Sequence, residues 1–158
     1  MPIQVGDTIA NVNLKTKTAQ GIEDVNTAEL FSNKKMVLFA VPGAFTPTCS
    51  EAHLPGFVVN LDAIKAKGVD TVACLSVNDV FVMDAWGKAS NAEHLLMLAD
   101  GNAEFTKAID LVLDGSGFGM GLRSKRYAMI VNNGIVEHIA VDEKGFELSS
   151  AEAIIAAL

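Results

Sequence analysis

Cysteine is scarce in this chain: 158 residues hold two, Cys49 and Cys74. Two thiols outside any C-x-x-C pair exclude the multi-disulfide framework of a small secreted domain and leave each cysteine as buried filler or as chemistry. Basic residues are also few, 12 Lys and Arg against 19 Asp and Glu for a net charge of −7, which excludes non-specific attraction to nucleic acid or acidic membrane. A small diffusible substrate fits better. No run approaches the ~20 apolar residues of a membrane span, and the opening MPIQVGDTIANVNLKTK lacks a basic stretch followed by an apolar one. The expectation is a soluble, unexported, cytoplasmic chain. There is no repeat and no Gly/Ser/Pro linker, so residues 1–158 are expected to form one domain.

What is present is an alternation of strand and helix signals. Met36 to Val41 is a continuous apolar run stopped by Pro42-Gly43, as expected of a strand buried on both faces. Val69 to Leu75 is a second such run, following the helix stop Lys67-Gly68. Between them a crossover helix is predicted from about Thr48–Ser50 to Ile64, with Phe57, Leu61 and Ile64 on one face and a kink at Pro55-Gly56. A helix from Asn78-Asp79 to about Ala89, a strand at Leu95 to Ala99 and a short helix at Ala103 to Asp110 follow. Arg126 to Val131 and Ile135 to Val141 flank Asn132-Asn133-Gly134, a hairpin signal. Ser149-Ser150-Ala151-Glu152 reads as a capping box for a terminal helix. The β-α-β-α-β order with a closing hairpin predicts the α/β class.

Cys49 falls at the junction between the first buried strand and its helix, where unsatisfied amides and the helix dipole favour thiolate over thiol. Lowering a thiol pKa from ~8.5 to ~6 raises the thiolate fraction at pH 7 from roughly 3% to roughly 90%. Glu51, two residues on, acts in the opposite direction, so this reading demands a cationic partner. Thr46 stands where a C-x-x-C centre would carry its second thiol, which excludes a dithiol oxidoreductase. Its hydroxyl can hydrogen-bond the sulfur or a bound oxygen, or simply cap the helix.

The string Pro42-Gly43-Ala44-Phe45-Thr46-Pro47-Thr48-Cys49 resembles the P-x-x-x-T-x-x-C signature of peroxiredoxins. The likeness continues through Ser50 to Phe57, Ala73 to Asp79, Ala85-Trp86-Gly87 and Lys125 to Met129, and is similar to the subgroup of plant type II and mammalian atypical two-cysteine peroxiredoxins. The resemblance implies a thioredoxin-like fold with a central mixed sheet flanked by helices, thiol-dependent reduction of hydrogen peroxide and alkyl hydroperoxides, and a homodimer. It makes Cys49 the peroxidatic cysteine, oxidised to sulfenic acid. Thr46 would orient the peroxide, Pro42 shield the pocket, and Arg126 supply the cation. Arg123 and Lys125 are rivals for that last task; if Arg126 opens a strand, Lys125 points to the other face.

Cys74 lies within an apolar strand and is either a buried structural thiol or the resolving cysteine that the plant type II relatives place there. The C-terminal resolving cysteine of the mammalian form is absent from Phe146 to Ser150. A strand-buried Cys74 must come within ~7 Å of Cys49 by local unfolding, so a one-cysteine cycle is favoured. Its reductant would be glutathione, a glutaredoxin or a thioredoxin. No cofactor is expected, and Cys49, Cys74, His53, His94 and His138 lack the paired spacings of a zinc site.

Other signals are weighed against these. His53, four residues after Cys49, could make a hydrolase pair, but at the predicted kink it reads as a local packing or hydrogen-bonding residue. Gly115 to Gly121 fails both phosphate-loop patterns and reads as a mobile loop bordering the pocket. Trp86, Phe81 and Val82 read as core, and Phe45 as a residue that can face a subunit partner. The alternative to an enzyme is a redox sensor in which Cys49 oxidises once and a partner reads the change.

Overall fold

A computed structural model describes the backbone of all 158 residues and the side chains of all except Cys49 and Glu51. The chain opens with a hairpin, β1 (Asn13–Thr18) and β2 (Gly21–Asn26), and a single turn α1 (Thr27–Leu30). β3 (Lys35–Val41) leads through a π-helical turn (Cys49–His53) into α2 (Leu54–Val59) and α3 (Leu61–Ala66). Then come β4 (Thr71–Ser76), α4 (Val80–Ala89), β5 (Leu96–Ala99) and α5 (Glu104–Ala108). β6 (Val112–Asp114) and β7 (Leu122–Ser124) form a small ribbon, and β8 (Arg126–Asn132), β9 (Ile135–Asp142) and α6 (Ala151–Ala157) close the chain.

Seven strands make one sheet in the order β2-β1-β5-β4-β3-β8-β9. β3 runs parallel to β4 and β4 to β5, whereas β8 and β9 return antiparallel. The central run is apolar throughout because both faces are covered. Val37, Phe39 and Val41 face Leu54, Phe57, Ile64, Trp86 and Ile154, drawn from α2, α3, α4 and α6. Met36, Leu38 and Ala40 face a second core that includes Phe31 and Phe105. The α/β class and the mixed sheet read from the sequence are therefore observed. No helix among the described residues is long and apolar enough to cross a membrane.

The crossover helix differs from its expectation. Proline cannot donate an i→i−4 bond, and the five residues Cys49–His53 before it take the wider π spacing, so that Pro55 enters in the first turn of α2. The axis breaks again at Asn60, not at Pro55-Gly56. The terminal helix is capped by Ser150, whose hydroxyl accepts from Ala153 N–H, rather than by Ser149. The Asn133-Gly134 turn has φ of 49° and 79°, the positive pair that a two-residue hairpin loop needs. Trp86 is core, but Phe81 is 62% exposed.

Phe57 stacks on Phe39 with ring centroids 4.0 Å apart, fastening α2 to the sheet. Phe57→Ala is expected to cost about 3–5 kcal/mol in urea unfolding; a loss below about 1 kcal/mol would mean that α2 is not docked through this pair.

Candidate active site

The site is built where β3 ends. After Val41 the chain turns through Ala44 and Phe45, and Phe45 holds φ of 65°, a left-handed conformation that is costly for a bulky residue and clusters at functional sites. The turn is braced from β4's far end: Ala44 N–H donates to Asn78 Oδ1, which also accepts from the Ser76 hydroxyl at 2.6 Å. Gly43 lets the chain approach closely, since a Cβ there would lie 3.1 Å from Thr46 Cγ2 and 3.3 Å from Met120 Cε, so that these neighbours would have to give way by a few tenths of an ångström. The Thr46 hydroxyl donates to Gly43 O at 2.6 Å. Its hydrogen is committed, so its lone pairs are what it can offer to another group. Thr46 O in turn accepts from Ser50 N–H, and Ser50 Oγ accepts from Trp86 Nε1–H at 3.0 Å, which pins the start of the helical segment to α4.

Cys49 is the first residue of the π turn. Its thiol and the Glu51 carboxylate, both invoked from the sequence, lie outside the described residues. Two adjacent cavities flank this stretch, and Pro42 and Leu113 line both. One, of about 240 Å³, is bordered by Thr48, Arg126 and Asp142. The other, of about 230 Å³, is bordered by Thr46, Gly115, Phe118, Met120 and Arg123. The glycine-rich loop thus borders the pocket, folded as a single 3₁₀ turn at Ser116–Phe118. Two larger cavities of about 630 and 640 Å³ lie along β1 and β5, away from these residues.

Pro42, Thr46 and Arg126 are brought together around these cavities, and the rivals for the cationic role have other work. Arg123 donates to the carbonyls of Met120 and Val77, tying the β6–β7 loop to the end of β4. Lys125 pairs with Glu143 at 3.1 Å. Arg126, at the first position of β8, is 8% exposed. Cys74 is fully buried in β4 between Phe39 on β3 and Met97 on β5, not at the site. Among the described residues no three His, Cys, Asp or Glu side chains gather as metal ligands.

The side chain that sequence reasoning missed is His53. It is fully buried, and its partners are distant in the chain: Nδ1 lies 2.9 Å from Arg126 NH1 and Nε2 lies 2.9 Å from Ser149 O. Guanidinium can only donate and a carbonyl can only accept, so Nδ1 accepts and Nε2–H donates. One tautomer satisfies both, and it is neutral. Burial and then the Arg126 charge push the imidazole pKa down to about 3, against the weaker opposing pull of Ser149 O and Asp142. Ser149 is itself anchored. Asp142 accepts from the N–H groups of Glu147, Leu148 and Ser149 and from the Ser149 hydroxyl. Burial raises the Asp142 pKa, but these donors together hold it below the usual carboxylate range.

Comparison with known proteins identifies the family. The redoxin family model matches residues 4–155. Peroxiredoxin-2C of Oryza sativa subsp. japonica is 45% identical over 160 residues, covering 99% of each chain. The crystal structure of reduced Prx3 from Vibrio vulnificus in complex with hydrogen peroxide superposes with a TM-score of 0.95 at 59% identity over 98% of both chains. The 1-Cys peroxiredoxin of Plasmodium falciparum gives 0.92 at 30% identity over 96% of both chains. The mixed sheet flanked by helices and the solved structures it matches define a thioredoxin-like α/β fold. Within that class the chain belongs to the peroxiredoxins of the redoxin family, resembling the plant type II group, and is a thiol-dependent peroxidase.

The state of His53 is measurable. Its native pKa lies below the ordinary 6.5, so below pH 6.5 the unfolded chain binds a proton that the native chain refuses. Stability is therefore full above about pH 6.5 and falls by up to about 1.4 kcal/mol per pH unit as the pH drops towards 4.5. Urea unfolding across that range should show the slope in the wild type and a flatter one in His53→Phe; equal slopes would contradict a buried neutral imidazole.

Proposed function

We propose that Cys49 is the peroxidatic cysteine, that Arg126, Thr46 and Pro42 serve it, and that residues 1–158 act as one catalytic domain. The observation that carries the assignment is the buried guanidinium of Arg126, which borders the same cavity as Pro42 and Thr48, the residue before Cys49. A cation there favours the thiolate and offsets Glu51. A planar guanidinium fork suits the two oxygens of a peroxide.

In the reaction the Cys49 thiolate attacks one peroxide oxygen and the O–O bond breaks. Sulfur is oxidised to sulfenic acid, and the other oxygen leaves as hydroxide or alkoxide, which takes up a proton to become water or alcohol. The thiolate starts with one negative charge and the leaving oxygen ends with it, so donors aimed at both atoms lower the barrier. Thr46, its hydrogen given to Gly43 O, accepts from the peroxide O–H and thereby fixes which oxygen faces sulfur. Pro42 has no N–H to hold water and offers an apolar wall. Both hydrogen peroxide and alkyl hydroperoxides fit a pocket of this size.

The cycle closes through one cysteine. A thiol from glutathione condenses with the sulfenic acid to a mixed disulfide and water, and a second thiol, delivered by glutaredoxin, restores Cys49. Thioredoxin is the alternative reductant. The complete burial of Cys74 in the core that holds the Phe39–Phe57 stack supports this order, as does the likeness to a 1-Cys peroxiredoxin. We also infer a cytoplasmic homodimer, with the exposed rings of Phe45 and Phe81 available to a second copy.

Peroxide consumption with each reductant tests the assignment. Cys49→Ser should abolish turnover, Arg126→Gln should lower kcat/KM by about 10²-fold with the fold intact, and Cys74→Ser should still cycle with glutathione and glutaredoxin. Full activity in Cys49→Ser would sink the mechanism, and a stalled Cys74→Ser that still forms sulfenic acid would make Cys74 the resolving thiol. A wild type that fails with every reductant would favour the sensor.

A further inference from the structure

We infer that His53 is a positioning residue of the peroxidase, fixing the Arg126 guanidinium towards Cys49 through Nδ1 while Nε2–H takes its bearing from the Ser149 carbonyl. The inference rests on the assignment of Arg126 and Cys49 above.

Three observations carry it. First, the imidazole has little freedom of orientation. Phe39, Phe57 and Phe146 surround it with ring centroids 5.0, 5.6 and 4.9 Å away. Its two ring nitrogens then meet partners of opposite kind, and a 180° flip would place a ring carbon against both the carbonyl and the guanidinium, losing both hydrogen bonds. Second, the far partner is fixed independently, because four hydrogen bonds to Asp142 hold the segment that presents Ser149 O. Third, the guanidinium is gripped on a face as well as an edge: Arg126 Cζ lies 5.8 Å from the Phe146 ring centroid, within cation–π range. Phe146 belongs to the segment that Asp142 anchors. The stretch after β9 therefore reaches Arg126 by two routes, one through His53 and one direct.

A neutral acceptor at Nδ1 has a specific chemical value. A carboxylate there would add a negative charge that opposes the guanidinium's pull on the thiolate, whereas an imidazole lone pair orients the cation and adds no charge. A purely structural aromatic in the same slot would fill space without directing Arg126.

The test compares His53→Phe, which keeps an aromatic ring but removes the acceptor, with His53→Asn, whose side-chain oxygen can stand near the Nδ1 position. The midpoint of pH-dependent alkylation at Cys49 is followed by mass spectrometry alongside kcat/KM for hydrogen peroxide. His53→Phe should raise the midpoint by about one pH unit and lower kcat/KM roughly tenfold, and His53→Asn should recover part of both. In an Arg126→Gln background, His53→Phe should add little to either, because it acts through that arginine. A folded His53→Phe with wild-type midpoint and rate overturns the inference, as does a full additive loss in the Arg126→Gln background. If Arg126→Gln itself leaves both readouts unchanged, the assignment of Arg126 fails instead. Should His53→Phe not fold, ¹⁵N-histidine NMR of the wild type decides: a proton on Nε2 with Nδ1 bare supports the inference, and a proton on Nδ1 overturns it.

Discussion

A guanidinium that is almost wholly out of water must have its donors satisfied by protein, and most of the site's architecture follows from how this is done for Arg126. Removing a charge from water costs several kcal/mol unless acceptors replace the solvent. A carboxylate is the usual remedy, yet Asp142, directly opposite Arg126 in the β8–β9 register, spends its oxygens on the loop that follows β9. A described acceptor of Arg126 is instead the neutral imidazole of His53. That contact orients the guanidinium without adding a charge of its own.

That arrangement constrains three parts of the chain together. β8 must begin at Arg126 so that the side chain emerges at the strand's first position. The turn Cys49–His53 must bring His53 inward beside Phe39 while Cys49 stays at the head of the same turn. The π spacing is wider than that of a regular α-helix and sets the direction in which His53 projects, into the core beside Phe39. The loop after β9 must lie down on Asp142 so that Ser149 O and Phe146 reach the site. Each element is ordinary alone. The constraint is that all three meet at one buried cation.

Much of this was legible in sequence, and the exceptions have physical reasons. The buried run at Met36 to Val41, the Asp79-capped α4 and the Asn133-Gly134 hairpin are local signals, and each appears where the residues place it. The β1–β2 hairpin was not readable because Thr16 takes an inward position that an apolar residue would have marked, its hydroxyl donating to Met97 O. Ser149 reads as a cap from spacing alone, but its hydroxyl is drawn off to Asp142 and the neighbouring Ser150 caps instead. His53 reads as a local residue because its partners lie 73 and 96 positions away. No window on the sequence contains that relation; it exists only once β8 and the loop after β9 have folded onto the crossover helix.

The same core bears on how the oxidised site is recycled. Cys74 lies on the sheet face that carries Val37, Phe39 and Val41, the face covered by α2. To meet Cys49 it must wait for the segment bearing Leu54 and Phe57, both wholly buried, to lift away. Exposing two such side chains costs roughly 3–6 kcal/mol, an open population on the order of 10⁻² to 10⁻⁴. Lifting that segment also carries His53 off Arg126, so an opening that delivered Cys74 would dismantle the grip on the cation at every turnover. An external thiol needs no such opening, because the cavities beside Pro42 already reach the surface on either side of Thr46 and Thr48. With Cys49 as the proposed peroxidatic thiol, the energetic order favours a reductant that comes to it over a cysteine that must be uncovered to reach it.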